Sequence, residues 1–330
     1  MAWLTQVRHL EHAKPISSER SVGLADWVSL LRPMQLVKNV VVFAGPAAGM
    51  RLFDADGFIR AAVACAAFCL LASSAYAIND TLDRAADLSH PTKRFRPVAR
   101  GAISPAAALV CASALVVCAL SISTWLLNSQ TTFILVAYFG MTLAYSIALK
   151  RRIILDVIII ATGFVLRAWG GSAAVEVATS EWLVACMFTL CMFLGFGKRR
   201  CEISMIPDAA EARQHRDILV RYTPDLLNHL ITVSAGIAII TFLLYTLDSD
   251  PSRAPGGFQK EHLFYTLPLV MYGVFRYAML TELGAFTGPT EIILKDKALL
   301  SSILMWAVAA MTVVYQTAIF GPEGLKPWLG

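Results

Sequence analysis

Apolar runs long enough to cross a bilayer recur along this chain, separated by short polar connections. A membrane-spanning α-helix needs about 17–25 mostly apolar residues to cover a hydrocarbon core of about 30 Å. Nine stretches are candidates, near 37–51, 58–78, 105–127, 131–149, 153–171, 181–197, 226–247, 263–280 and 298–320. The first is short and contains Gly45, Pro46 and Gly49, which predicts a kinked or broken segment. Leu24 to Leu31 is short and amphipathic, and predicts an interfacial helix leading into the membrane. The first thirty residues are polar and mixed, unlike a signal peptide with its early apolar core. With no periodic repeat or low-complexity linker, the expected fold is an all-α membrane protein. One helical domain over 37–320 follows a cytoplasmic N-terminal segment, 1–36, and precedes a C-terminal tail, 321–330.

Composition agrees with the pattern. The 330 residues are 57% hydrophobic and 15% charged, with mean hydropathy +0.62, against about 25% charged in soluble domains. A soluble α/β enzyme is therefore excluded. Most of the 28 Lys and Arg lie in 1–39, 80–104, 149–152, 197–225 and 276–297. They alternate between successive connections, which is the positive-inside pattern and not a nucleic-acid-binding face. Assigning the Lys/Arg-rich loops to the cytoplasm places the N-terminus, 80–104, 149–152, 197–225 and 281–297 inside, where the polar sequence collects, and an odd number of spans puts the termini on opposite sides. Cys65, Cys69, Cys111, Cys118, Cys186 and Cys191 sit in apolar runs and read as small packing residues. Cys201 lies in a basic segment without a partner spacing.

The densest chemistry begins where the second span ends, at Asn79-Asp80-Thr81-Leu82-Asp83-Arg84-Ala85-Ala86-Asp87. On a continuous helix Asp80, Asp83 and Asp87 share one face, with Asn79 one turn from Asp83. Carboxylates gathered at a membrane boundary repel one another and are costly to desolvate. Mg2+ would offset that cost, since it takes oxygen ligands, few of them carboxylates, and keeps water and phosphate in its shell. Solvated surface aspartates are the blander reading. Directly downstream come His90-Pro91-Thr92-Lys93-Arg94-Phe95-Arg96-Pro97 and Gly101-Ala102-Ile103-Ser104. Arg suits multidentate recognition of phosphate oxygens, and Lys acts as a point charge. Acids for a metal beside bases for phosphates are what a diphosphate leaving group requires.

The run N-D-x-x-D-x-x-x-D followed by H-P-x-K-R-x-R-P and G-x-I-S resembles the UbiA superfamily of intramembrane transferases, from Arg32 to about Leu300. The resemblance implies a UbiA-like bundle of nine transmembrane helices, with cytoplasmic loops capping the active site. Aromatic prenyltransferases of that superfamily carry a second acidic motif, D-x-x-x-D, after the fourth span. Here Tyr145-Ser146-Ile147-Ala148-Leu149-Lys150-Arg151-Arg152-Ile153-Ile154-Leu155-Asp156 holds a single Asp, with Ile at position 160. That departure resembles the decaprenyl-phosphate phosphoribosyltransferase branch. Shorter stretches resemble it too: Arg32 to Asn39, Leu166 to Gly171, Gly197 to Glu202, and Gly288 to Glu291. The typical R-P-x-Q-W is here Arg-Pro-Met-Gln-Leu.

The branch implies phosphoribosyl pyrophosphate as donor and a polyprenyl phosphate as acceptor, at a bacterial plasma membrane with the active site facing the cytoplasm. Decaprenyl comes with the family name; undecaprenyl fits the same residues. The downstream product would be an arabinose-containing envelope glycan, and homo-oligomerisation is left open. More anionic groups call for more cations, and Lys38, Lys93, Arg94, Arg96, Lys150, Arg151, Lys198 and Arg199 supply them, with Tyr145 and Asp156 beside them. Arg167 lies within an apolar span, where an ionisable group is functional by default; the blander readings pair it with Asp156 or let it snorkel. The expected reaction is a single displacement at the anomeric carbon, with Mg2+ on Asn79, Asp80, Asp83 and Asp87 neutralising the leaving pyrophosphate. Two rivals remain: prenyl transfer to an aromatic or quinone acceptor, and a lipid-phosphate transporter. His9, His12, His215, His229 and His262 share no spacing and read as surface or packing residues. Trp3, Trp27, Trp182 and Trp328 read as interfacial anchors. Tyr222 and Tyr277 are unranked candidates for substrate contact.

Overall fold

The computed structural model describes residues 23–90, 92–204, 222–248, 260–284, 286 and 288–320. His9, His12, His215, Trp3, Trp328, most of the N-terminal segment, the 205–221 stretch and the C-terminal tail lie outside them. The described chain is helical. Helix α1 is Leu24–Leu31, α2 Pro33–Leu36, and a 3-10 helix Val37–Phe43 leads into α3, Ala44–Ala48. Then follow α4 Ala55–Leu82, α5 Arg84–Leu88, α6 Pro105–Leu126, α7 Ser129–Ile147, α8 Leu155–Ala174, α9 Glu181–Ser204 and α10 Pro224–Leu247. A 3-10 turn, Lys260–Thr266, opens α11 Leu267–Glu282; α12 Pro289–Lys295, α13 Lys297–Val314 and α14 Gln316–Phe320 complete the order.

The long helices start where the sequence caps them. Asp54, Ser104, Asn128, Thr223 and Asp296 each accept a backbone N–H from the first turn of the helix that follows, and Pro stands at the start of α6 and α10. Such caps satisfy donors that have no partner inside the helix.

Among the described residues eight helices are long and apolar enough to cross a membrane, one fewer than the nine expected. The missing one is the first. Its residues do traverse the protein, from Arg32, which pairs with Asp80 at the end of α4, to Gly49, which lies against Val177 beyond the end of α8. They do so in pieces, α2, 3-10 and α3, and two features explain the break. Val40, Val41 and Val42 are β-branched and poor helix formers. Pro46 lacks the N–H that would bond the Val42 carbonyl. The looser winding gains length: seven 3-10 residues rise about 14 Å and nine α residues about 13 Å, close to the hydrocarbon thickness. Irregular backbone at this depth must be shielded by protein, and α8 shields it. A Cβ on Gly171 would stand 1.8 Å from the Val42 carbonyl oxygen, and one on Gly45 1.9 Å from Ser172 Oγ.

Helix α4 is the central strut. Ala61, Ala64, Ala67, Ala75 and Ala77 are buried around Phe68 and Leu71, and small residues let neighbouring helices approach closely in lipid. Its 28 residues rise about 42 Å, more than the hydrocarbon core needs, and Asn79 and Asp80 lie in its last turn. A first core gathers Val42, Phe68, Leu71, Ile134 and Tyr138, and a second gathers Val157, Phe193, Phe196, Leu227 and Tyr277.

Candidate active site

The aspartates do not lie on one continuous helix face. Helix α4 ends at Leu82, and Asp83 is its C-terminal cap at φ −89°, ψ 5°. The break divides the acids into two sets. Asp80 and Asp87, 1% and 3% exposed, converge on the Arg96 guanidinium, whose Nη1 lies 3.2 and 2.7 Å from them. Arg32 also donates to Asp80; it is held at φ 52° over the Tyr76 ring. On the other side Lys150 Nζ donates to both Asp83 oxygens at 2.7 Å and to Asn79 Oδ1 at 3.2 Å. Two buried carboxylates would be prohibitive without these partners, so the cations set the resting charge balance of the acidic motif.

The basic loop is built to bring Arg96 in. His90 Nδ1 accepts the N–H groups of Thr92 and Lys93, starting the 3-10 turn Lys93–Phe95. Val98, Ala99 and Ile103 are buried, and Arg100 reaches Asp26 of α1. Helix α1 is thereby tied to the basic loop beside the acidic motif. Arg94 is exposed and stacks on Phe95, Lys93 is half-buried, and Arg151 is exposed.

A second polar cluster fills the place of the absent acidic motif. Asp156 is fully buried and accepts from Arg199 Nε and from the Tyr222 hydroxyl, both at 2.9 Å. Arg199, itself 2% exposed, also pairs with Glu202. Burial pushes the Tyr222 phenol above its ordinary value, so it remains a neutral donor. Asp156 and Arg199 therefore face each other, where the sequence suggested substrate contacts for both. Tyr145, half-buried near the end of α7, sits in the field of Arg199.

Arg167 departs from its blander readings. Asp156 is taken by Arg199, and Arg167 lies twelve residues into α8 from Leu155, about 18 Å from the helix start. Its Nε donates to Asn39 Oδ1 and its Nη2 to the Tyr138 hydroxyl, each at 2.7 Å. The guanidinium also lies over the Tyr138 and Phe164 rings. Its charge meets neutral groups, and no acid among the described residues is within ion-pair distance of it. Lys38, hydrogen-bonded to Gln35, lies in the electrostatic reach of Arg167 and Lys198, so three elements bring three cations to one region. Lys198 is 3.8 Å from Glu202.

Arg32, Asn39, Tyr138 and Glu202 join the site although they were not among the residues expected there. Arg32 and Asn39 frame the Arg-Pro-Met-Gln stretch, which was a visible signal. Glu202 likewise closes the Gly197 to Glu202 stretch, whereas Tyr138 carried no signal, because only helix packing delivers it. Among the described residues no three His, Cys, Asp or Glu side chains stand together as a metal site. The donors fall in pairs, Asn79 with Asp83 and Asp80 with Asp87. That oxygen-only set suits Mg2+, which takes one or two carboxylates and completes its shell with water and phosphate.

The UbiA prenyltransferase family matches residues 40–285. The decaprenyl-phosphate phosphoribosyltransferase of Mycolicibacterium smegmatis is 31% identical over 312 residues, covering 92% of this chain and 97% of that protein. The enzyme of the same name from Corynebacterium glutamicum is 31% identical over 304 residues, covering 90% of each. In fold, the chain is similar to a UbiA homolog from Archaeoglobus fulgidus bound to GPP and Mg2+. That match has a TM-score of 0.66 and 16% identity, and covers 88% of this chain and 99% of the other. With its spanning helices, its acidic motif at the end of α4 and these relatives, the chain belongs to the UbiA prenyltransferase family.

Proposed function

We propose that this multi-pass membrane protein transfers 5-phosphoribose from phosphoribosyl pyrophosphate to a polyprenyl phosphate, releasing pyrophosphate, on the cytoplasmic side of a bacterial plasma membrane. The observation that carries this is the buried Asp156–Arg199 pair beside Lys150. Where a second acidic site would bind an isoprenyl diphosphate through metal, the chain presents a neutralised acid and a lysine. Full-length similarity to phosphoribosyltransferases acting on decaprenyl phosphate points the same way.

The residues divide the work. Asn79, Asp80, Asp83 and Asp87 are the oxygen donors that would hold Mg2+, which supplies charge neutralisation for the leaving pyrophosphate. Donor binding draws the diphosphate between Asp83 and Lys150, and Lys150, Lys93, Arg94, Arg96 and Arg151 receive phosphate oxygens as fixed positive charges. Lys38, Arg167 and Lys198 take the remaining anionic groups, the 5-phosphate and the lipid phosphate. The lipid phosphate oxygen forms its bond to the anomeric carbon as the bond to pyrophosphate breaks. The acceptor is already ionised near neutral pH, so no side chain has to remove a proton.

Purified protein in detergent, given polyprenyl phosphate and Mg2+, is expected to form a phosphoribosyl lipid from phosphoribosyl pyrophosphate. Turnover solely with an isoprenyl diphosphate and an aromatic acceptor would replace this reading with prenyl transfer. Lipid movement without pyrophosphate release would replace it with transport.

A further inference from the structure

The connection between α7 and α8 contains an unusual bend. Ile154 sits at φ 66°, ψ −48°, and the Leu155 N–H bonds back to the Ile153 carbonyl at 2.7 Å. That is a γ-turn of the strained hand, rare for any residue, and a β-branched side chain at positive φ is an outlier that its surroundings must enforce. No side chain caps α8. Instead the Tyr222 hydroxyl accepts the Ile154 N–H at 2.6 Å and donates to Asp156, which Arg199 holds from α9. The turn is thus gripped from α8, from α9 and from the residue just before the Thr223 cap of α10.

Its grip reaches the acidic motif by a short path. The Asp156 N–H bonds the Arg152 carbonyl and the Arg152 N–H bonds the Leu149 carbonyl, both at 3.0 Å. Between these anchors lies Lys150, whose ammonium meets Asp83 and Asn79. A buried ion pair is a weak source of stability against an apolar alternative, and a fixed geometry is one use for it.

We propose that Tyr222, Asp156 and Arg199 form a clamp that holds the Ile153-Ile154-Leu155 turn in its strained form and so presents Lys150 to the diphosphate site at Asn79 and Asp83. Asp156 is then a positioning residue, and Tyr222 a second one. The inference rests on the reading of that site as the place where a diphosphate binds, without depending on which group the diphosphate carries.

Its test is the binding of inorganic pyrophosphate with Mg2+ to the full chain in detergent, measured by calorimetry. Asp156→Asn risks misfolding, since it leaves Arg199 buried with a weakened partner, so Tyr222→Phe is the informative variant. It should bind pyrophosphate roughly tenfold more weakly, as expected for loss of a hydrogen bond that positions a charge, with its melting temperature nearly unchanged. Lys150→Met should weaken binding at least as much, and the Tyr222→Phe/Lys150→Met double variant no further than Lys150→Met alone. Adding Ile154→Gly to Tyr222→Phe should recover most of the loss, because glycine adopts the positive φ without strain. Full additivity of Tyr222→Phe and Lys150→Met, or wild-type binding by Tyr222→Phe, would overturn the clamp. Wild-type binding by Lys150→Met would overturn both the clamp and the diphosphate site. A wild-type protein that binds pyrophosphate and shows these couplings, yet transfers no phosphoribose, would leave the clamp standing and remove the functional reading alone.

Discussion

Asp80 and Asp83 stand three residues apart in one motif yet meet different physics. Asp80 is 1% exposed and shared by Arg32 and Arg96, whereas the Asp83 side chain is 28% exposed and answers to Lys150. Alanine at either position should lower turnover by at least about 100-fold, the scale of losing an electrostatic contact to developing charge. Stability should separate them. Asp83→Ala should melt close to wild type, while Asp80→Ala leaves two guanidiniums without their buried partner and should cost about 3 kcal/mol. Activity and thermal unfolding in detergent check both, and near-normal turnover in either variant refutes the metal-site assignment. At this scale the motif was legible because its residue types and spacing specify oxygen donors. The division into two pairs was not legible, because it follows from where α4 stops and which loop brings each cation.

At the level of elements, the stretched crossing over Val37–Phe43 depends on its fit to α8. Gly171→Ala would put a methyl group 1.8 Å from the Val42 carbonyl oxygen, on backbone that cannot turn aside as a side chain could. Overpacking of this kind costs about 1–3 kcal/mol. Gly140→Ala in α7 meets nothing within 4 Å and should stabilise by about 0.5–1 kcal/mol through backbone entropy. Thermal melts of the two variants beside wild type test the pairing; equal shifts would mean that α8 does not constrain the broken crossing. Gly45, Pro46 and Gly49 announced the break in the sequence. The 3-10 winding was hidden, because it arises from β-branched residues, a missing N–H and a glycine on another helix acting together.

For the whole molecule, ion pairs tie α1, the acidic end of α4, the basic loop and the α7–α8 connection together, so the fold is expected not to depend on a bound metal. Chelation should therefore abolish pyrophosphate release while leaving helix content and melting temperature unchanged. Circular dichroism with and without chelator tests this, and a fall of more than about 5 °C would show the metal to be structural, as in domains whose binding energy is folding energy. The all-helical membrane architecture and the acidic and basic motifs were determined by the sequence alone, because each is written in local composition and spacing. Bilayer thickness sets the length of an apolar run, and residue chemistry sets what a motif can bind. Which acid meets which base was decided only in the tertiary structure. Arg199 takes Asp156 from Arg167, Lys150 takes Asp83, and Arg96 joins Asp80 to Asp87. Such pairings depend on helices distant in sequence arriving at one depth with matched charge, and no local pattern encodes that arrival.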